Sequence, residues 1–247
     1  MGIGEIDVDA SVQLLKTEFE NSVEDKSIWT VRRKSVSVHR KCFFRFTKVT
    51  AARLLIQNDT VVFSTQSPHF AGWKLKGETV VNFLPEKAYD MIHPTAKYRF
   101  QWDDHVESCT FLEDLAPGVI LVHQHMKPLL MGFISARDSV DIIVQEEADQ
   151  YYQLMLTGVK YSDIPPQPRY VRAVTYPSGM RIYRSSNSEK TRIICIIQAD
   201  INVKHAPRYI TNNAFVTMMF NYLTSLQGCK DLPWTPIENA TGRTARK

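Results

Sequence analysis

Hydrophobic and polar positions along this chain follow two different periods. Val8, Val12, Leu15, Phe19 and Val23 recur at three- and four-residue steps and predict an amphipathic helix over residues 7–24. The period then shortens. A strand is predicted from Trp29-Thr30-Val31 through the alternating Val36 and Val38. Residues 42–69 hold strand-like pieces (Leu54 to Ile56, Val61 to Phe63) around a polar turn at Asn58-Asp59, and read as an inserted hairpin. A strand around Trp73 to Gly77 precedes a helix at Leu84 to Ile92, with Pro85 near its first turn and His93-Pro94 ending it. From Trp102 onward the pattern is β. Val106 to Leu115, Val119 to Met126, Val140 to Gln145, Tyr151 to Val159, Tyr170 to Thr175, Met180 to Tyr183 and Arg192 to Asp200 alternate with turn segments such as Ala116-Pro117-Gly118. So many successive strands imply a curved, mostly antiparallel sheet. One long helix follows, Pro207 to Gln227, with a wide apolar stripe that includes Ile210, Phe215, Met219 and Leu226. Gly228 stops it, and residues 228–247 read as a flexible tail.

A broad apolar helix laid across a bent sheet encloses either a filled core or an apolar cavity of small-molecule size. Periodicity does not choose between them.

Composition narrows the class. A chain of 247 residues with 44% hydrophobic and 23% charged residues buries a substantial core. Its longest apolar run, Ile193 to Ile197, is far short of the ~20 residues that cross a bilayer. The acidic start, Met1 to Glu20, lacks the apolar centre of a secretory signal, and Ile6 breaks the myristoylation pattern that Gly2 opens. A cytoplasmic protein is expected. The four cysteines are scattered, fit no zinc spacing and read as reduced thiols, so no metal and no cofactor is expected.

The net charge of +4 is modest but unevenly placed. No acid lies between Ser27 and Asn58, whereas Arg40, Lys41 and Arg45 interleave with Phe43 in a basic and aromatic stretch. One reading is a solvated strand face. The other is transient, peripheral contact with an anionic membrane, since each basic residue near such a surface contributes about 1 kcal/mol. No nucleic-acid motif accompanies the patch.

Several segments, taken in order, resemble a known family. Phe70-Ala71-Gly72-Trp73-Lys74-Leu75-Lys76-Gly77, Tyr89-Asp90-Met91-Ile92-His93-Pro94 and Arg99-Phe100-Gln101-Trp102-Asp103 are similar to the first half of a START domain, the lipid-transfer module related to steroidogenic acute regulatory protein. Ile134-Ser135-Ala136-Arg137-Asp138-Ser139-Val140-Asp141 resembles the family's S-P-R-D-F-V-D, and Tyr170 to Gly179 its F-V-R-G-Y-N-H-P-C-G. Gln198-Ala199-Asp200 resembles its Q-T-D. The likeness covers residues 7–227 and is nearest to the small cytosolic single-domain members. It implies an α+β helix-grip fold, a curved antiparallel sheet around the last helix, with one lipid in an apolar tunnel. A monomeric, non-enzymatic carrier of a sterol or similar lipid is the implied function. A phospholipid or carotenoid carrier is the alternative on the same fold.

The resemblance also places a site. The steroidogenic protein buries an acid–arginine pair in its tunnel; the matching positions here are Gln124 and Ile143, so that pair is absent. If Gln124 faces inward, alternation turns Val122 and Met126 inward too, with Ser139, Asp141 and Ile143 on the neighbouring strand. Gln124, Ser139 and Asp141 are then the polar groups of an apolar wall, awaiting a ligand hydroxyl or a water. Asp141 can equally be a structural hydrogen-bonding group. Phe215, Met218, Met219 and Tyr222 supply the wall on the last helix, and Arg99 could hold a phosphate. Arg137 and Asp138 read as a structural ion pair. Leu129, Leu130, Met131 and Phe133 occupy the loop that caps the tunnel in the family, which implies a lid. A rival reading, a helix-grip hydrolase, would draw on His123, His125, Asp141 and Cys109, but alternation puts both histidines on the face opposite Gln124 and no nucleophile motif is present.

Overall fold

The computed structural model describes residues 6–34, 60–184, 190–203 and 207–237. The first helix, α1 (Val8–Glu24), starts where Asp7 accepts a hydrogen bond from the Ala10 amide at 2.9 Å, the expected use of an aspartate at a helix N-cap. Its stripe of Leu15, Phe19 and Val23 is buried. Three strands follow: β1 (Thr30–Lys34), β2 (Val61–Gln66) and β3 (Trp73–Val81). Two short helices, α2 (Pro85–Ile92) and α3 (Arg99–Trp102), lead into the long strands β4 (Val106–Ala116), β5 (Val119–Met126), β6 (Arg137–Glu147) and β7 (Tyr151–Gly158). Short β8 (Val171–Arg172) and β9 (Val174–Thr175) precede β10 (Ser178–Tyr183), β11 (Thr191–Ile197) and β12 (Ala199–Asp200). Helix α4 (Arg208–Gln227) comes last.

The main sheet runs β1-β2-β3-β11-β10-β7-β6-β5-β4, with antiparallel neighbours throughout; β8 joins the edge of β6 in parallel. Period-two alternation gives this sheet two apolar faces. On β5 and β6, Val119, Leu121, Val140, Ile142 and Val144 pack with α1, whereas Ile120, Val122 and Ile143 belong to the core that holds α4. The sheet is thus covered on one side by α1 and grips α4 on the other, the expected helix-grip arrangement of an α+β fold.

Gly77 shows how closely α4 approaches. A Cβ added there would come 2.5 Å from Leu223 Cδ1 and 2.9 Å from Met219 Sδ, so a larger residue would require these α4 side chains to shift. Farther along α4, Gln227 donates to Thr79 Oγ1 at 2.9 Å and ties the end of the helix to the same strand.

Some sequence expectations need correction. Residues 61–66, assigned to an insertion at 42–69, form β2 inside the main sheet, paired with both β1 and β3; residues 42–59 lie outside the described residues. The run Tyr170 to Thr175 is not one strand. Val171-Arg172 pairs with β6, while Val174-Thr175 leaves to pair with β12. The stretch Arg192 to Asp200 breaks at Gln198, whose side-chain oxygen accepts from Ser67 and whose amide donates to Ser178 Oγ.

Residues 228–237 are not a loose tail. They form a short turn (Gly228–Asp231) and then lie along α2. Lys87 donates to the carbonyls of Lys230 and Leu232, Tyr98 to that of Thr235, and Trp234 Nε1 to Asp90 Oδ2 at 2.9 Å. A lysine and an aspartate on α2 capture backbone and indole groups that polar composition alone reads as solvated.

Arg40, Lys41, Phe43 and Arg45 lie outside the described residues. Two of their basic neighbours are engaged within the fold: Arg32 stacks over Trp73 and donates to Ser64 Oγ, and Arg33 stacks over Phe220. Among the described residues, no helix is long and apolar enough to cross a membrane.

Candidate functional site

Between α4 and strands β5, β6, β7, β10 and β11 the structure leaves a cavity of about 240 Å³. A single water requires only ~10–15 Å³ on the same kind of measure, so the interior is not plugged by side chains. Its wall is mainly apolar. Leu75, Leu154, Leu156, Met180 and Ile196 come from the sheet, and Phe215, Met218, Met219 and Tyr222 from α4. The sheet residues were not singled out in the sequence. Their strands read as apolar runs, and the inner phase of β3, β7, β10 and β11 emerges only once their pairing is known.

The polar groups sit at one side of this wall. Gln124 and Ser139 are register partners on β5 and β6 and both line the cavity. Asp141 does not: it lies behind them, fully buried, where its Oδ2 accepts from Gln124 Nε2 at 2.9 Å and from Ser139 Oγ at 2.6 Å. These partners are side chains, not the backbone groups that a structural role at a strand end would use. Burial raises its carboxyl above the ordinary range, against the hydrogen bonds of Ser139, Thr175 and Gln124. Asp141 thus accepts one amide proton of Gln124, whose side chain lines the cavity. Val122 likewise does not line the cavity; it is wholly buried in the core around α4. Met126, Ile143 and Arg99 reach the wall as expected.

Arg99 is already committed. Its Nε donates to Asp103 Oδ2 at 2.6 Å and its Nη1 to the Ile92 carbonyl at 2.8 Å, while its guanidinium lies 5.0 Å from the Tyr222 ring centre. Burial opposes ionisation of Asp103, but the Arg99 charge and bonds from His105 outweigh it and hold the carboxyl down at about 2. The phosphate-anchor reading of Arg99 therefore meets a cation whose charge is balanced.

Arg137 and Asp138 are not an ion pair. They are adjacent on a strand and point to opposite faces. Asp138 goes outward and pairs with His123 Nε2 at 2.9 Å and Arg172 Nη2 at 2.8 Å. Arg137 goes inward and lines the cavity. The alternation that turns Ser139 and Asp141 inward was enough to show this.

The loop between β5 and β6 closes through two backbone bonds between Leu129 and Ile134. Leu129 is buried and lines the cavity; beyond it Leu130 and Met131 adopt positive φ, 50° and 55°, and Gly132 follows at 93°. This left-handed run throws Met131 and Phe133 outward, 98% and 87% exposed. Two large apolar side chains in water beside the cavity mouth are the most exposed of the described hydrophobic residues.

The hydrolase set is divided by the sheet. His123 and His125 meet at a tilt on the outer face, with ring centres 4.1 Å apart and planes at 54°. Cys109 packs against the inner core, and burial, with Asp141 adding to it, pushes its thiol up to about 12. A neutral thiol separated from both histidines is no activated nucleophile.

An apolar cavity gripped between a long carboxy-terminal helix and a curved antiparallel sheet defines a lipid-binding class of protein. A START domain profile matches residues 54–235, well over half of the sequence, and the chain belongs to the START domain family. It is similar to StAR-related lipid transfer protein 5 of Bos taurus, 29% identical over 164 residues that cover 65% of this chain and 76% of the relative, and to the Mus musculus protein of the same name, 27% identical over the same shares. The structure of human StAR-related lipid transfer protein 5 superposes with a TM-score of 0.75 at 19% identity, covering 89% of this chain and 96% of that one. Human STARD10 does so with 0.66 at 17%, covering 92% and 80%. At those identities the solved structures speak for the fold.

Proposed function

We propose that this protein is a non-enzymatic carrier that takes one apolar molecule, a sterol or a body of similar size, from one membrane to another. The observation that carries the reading is the cavity beneath α4, apolar over most of its wall and of single-molecule scale. At about 240 Å³ it lies just below the ~300–1,000 Å³ typical of small-molecule sites, which favours one compact body over a two-chain phospholipid. Gln124, held by Asp141 and lining the cavity, supplies a polar partner for a hydroxyl on that body. The curated relatives' name, a lipid transfer protein, supports the same reading.

Leu129 to Phe133 act as the lid, and the outward Met131 and Phe133 enter the membrane interface when the protein docks. The basic stretch at Arg40, Lys41 and Arg45 adds attraction to anionic headgroups. The protein works as a cytoplasmic monomer in transient, peripheral contact with membranes.

The direct test is transfer of a fluorescent sterol between vesicles, alongside a fluorescent phosphatidylcholine. Sterol transfer well above the spontaneous rate, with phosphatidylcholine at background, is expected. Acceleration of phosphatidylcholine alone would establish the phospholipid alternative instead.

A further inference from the structure

Arg137 is 6% exposed, lines the cavity and has no acidic partner within salt-bridge distance among the described residues. Every acid near it is taken: Asp138 by His123 and Arg172 on the other face, Asp103 by Arg99. Its protein contacts are all with uncharged acceptors. Nε donates to the Ile201 carbonyl at 3.0 Å, and Nη1 to the Ser135 carbonyl and, at 2.7 Å, to Ser135 Oγ. These bonds fix the plane of the guanidinium between the root of the lid and the segment before α4, and leave Nη2 without a bond among the described residues. Burial with nothing of opposite charge to offset it lowers the affinity of Arg137 for its proton.

A buried cation without a counter-charge is costly unless something supplies one. Elsewhere in this protein that cost is met by a carboxylate, as at Arg99 with Asp103 and Arg181 with Glu20. Here the arginine is itself a lining residue of the cavity. Lys127, next to Met126, the register partner of Arg137, lines the same end and adds a second positive charge.

We propose that Arg137 is an anion-binding subsite of the cavity, and that the protein takes apolar molecules bearing a single oxyanion head, a carboxylate or a sulfate, with the head on Arg137 beneath the lid. This deepens the carrier reading and rests on it. The planar guanidinium suits an oxyanion, and a charge-assisted bond in a water-poor site is stronger than a neutral one. The body of the ligand then lies along the apolar wall towards Met219 and Tyr222.

The test uses the full chain and two matched pairs of probes: cholesteryl sulfate with cholesterol, and oleate with oleyl alcohol. Each pair shares a body and differs in its head. The wild-type protein is expected to bind the anionic member of at least one pair about tenfold or more tightly than the neutral one. Preference in one pair only identifies sulfate or carboxylate as the head. In Arg137→Gln the ratio of anionic to neutral affinity should fall to about unity, and Arg137→Lys should keep part of it. Should the glutamine variant not fold, the Arg137 Nε–H resonance of the wild-type protein is followed instead; it should move on adding the anionic member and not the neutral one. Equal affinities within both pairs, a preference unchanged in Arg137→Gln, or an unmoved Arg137 resonance would overturn the proposal and leave the carrier intact. Binding of no probe at all would instead strike the carrier reading beneath it.

Discussion

Two buried arginines on one cavity wall show how differently the same residue type is handled. Arg99 has Asp103 at 2.6 Å, whereas Arg137 has only uncharged acceptors, two carbonyls and a hydroxyl. The first pair makes a stability prediction. The Asp103 carboxyl is 2% exposed and is lowered from 3.8 to about 2, which at ~1.4 kcal/mol per unit corresponds to about 2 kcal/mol of stability at neutral pH. For a carboxylate held below its unfolded value, that contribution is present above pH 3.8 and is lost as pH falls through about 2. Asp103→Asn should therefore cost about 2 kcal/mol in urea unfolding at pH 7, and the gap to wild type should narrow between pH 4 and pH 2. A gap that is constant over that range would show that the charge of Asp103 contributes nothing. Asp141 runs the other way. Its raised carboxyl makes the native state bind a proton more readily than the unfolded chain, so its ionisation works against folding as pH rises through the folded value.

At the scale of elements, the proposed lid combines a closed root with an outward tip. Leu129 and Ile134 exchange two backbone bonds, and Leu129 is buried. Met131 and Phe133 contribute almost nothing to packing at 98% and 87% exposure. Replacing either with Asp should change unfolding free energy by no more than ~0.5 kcal/mol, as for surface positions elsewhere. Yet it should slow sterol transfer between vesicles severalfold, because a charge must then enter the interface. Unaltered transfer in both variants would remove the loop from the docking step. The same scale shows what the sequence could tell. The long strands and both long helices were legible because runs of apolar residues bounded by turn segments mark the strands and three- and four-residue spacing marks the helices; Val119–Met126 agrees residue for residue. Inward placement of Gln124, Ser139 and Ile143 followed from alternation plus the family likeness. The docked segment 228–237 was not legible, because its capture depends on Lys87, Asp90 and Tyr98, far away in sequence. The inward turn of Arg137, by contrast, was legible in the same alternation and was passed over, since neighbouring opposite charges invite a pairing that strand geometry forbids.

At the scale of the molecule, the sheet puts two chemistries back to back. Its outer face carries α1 and the His123–Asp138–Arg172 cluster, and its inner face carries the cavity. The thiol of Cys109, its pKa raised by burial, lies on one side and the two histidines on the other. Such an arrangement suits the proposed carrier, with Leu129 to Phe133 as its proposed lid. Whether the space under α4 takes one whole apolar molecule is read most directly by native mass spectrometry. Protein incubated with sterol-containing vesicles and re-isolated should show a single added mass equal to one sterol, lost on gentle activation. A spectrum holding the bare chain alone, after vesicles offering both neutral and anionic sterols, would contradict the account at its centre.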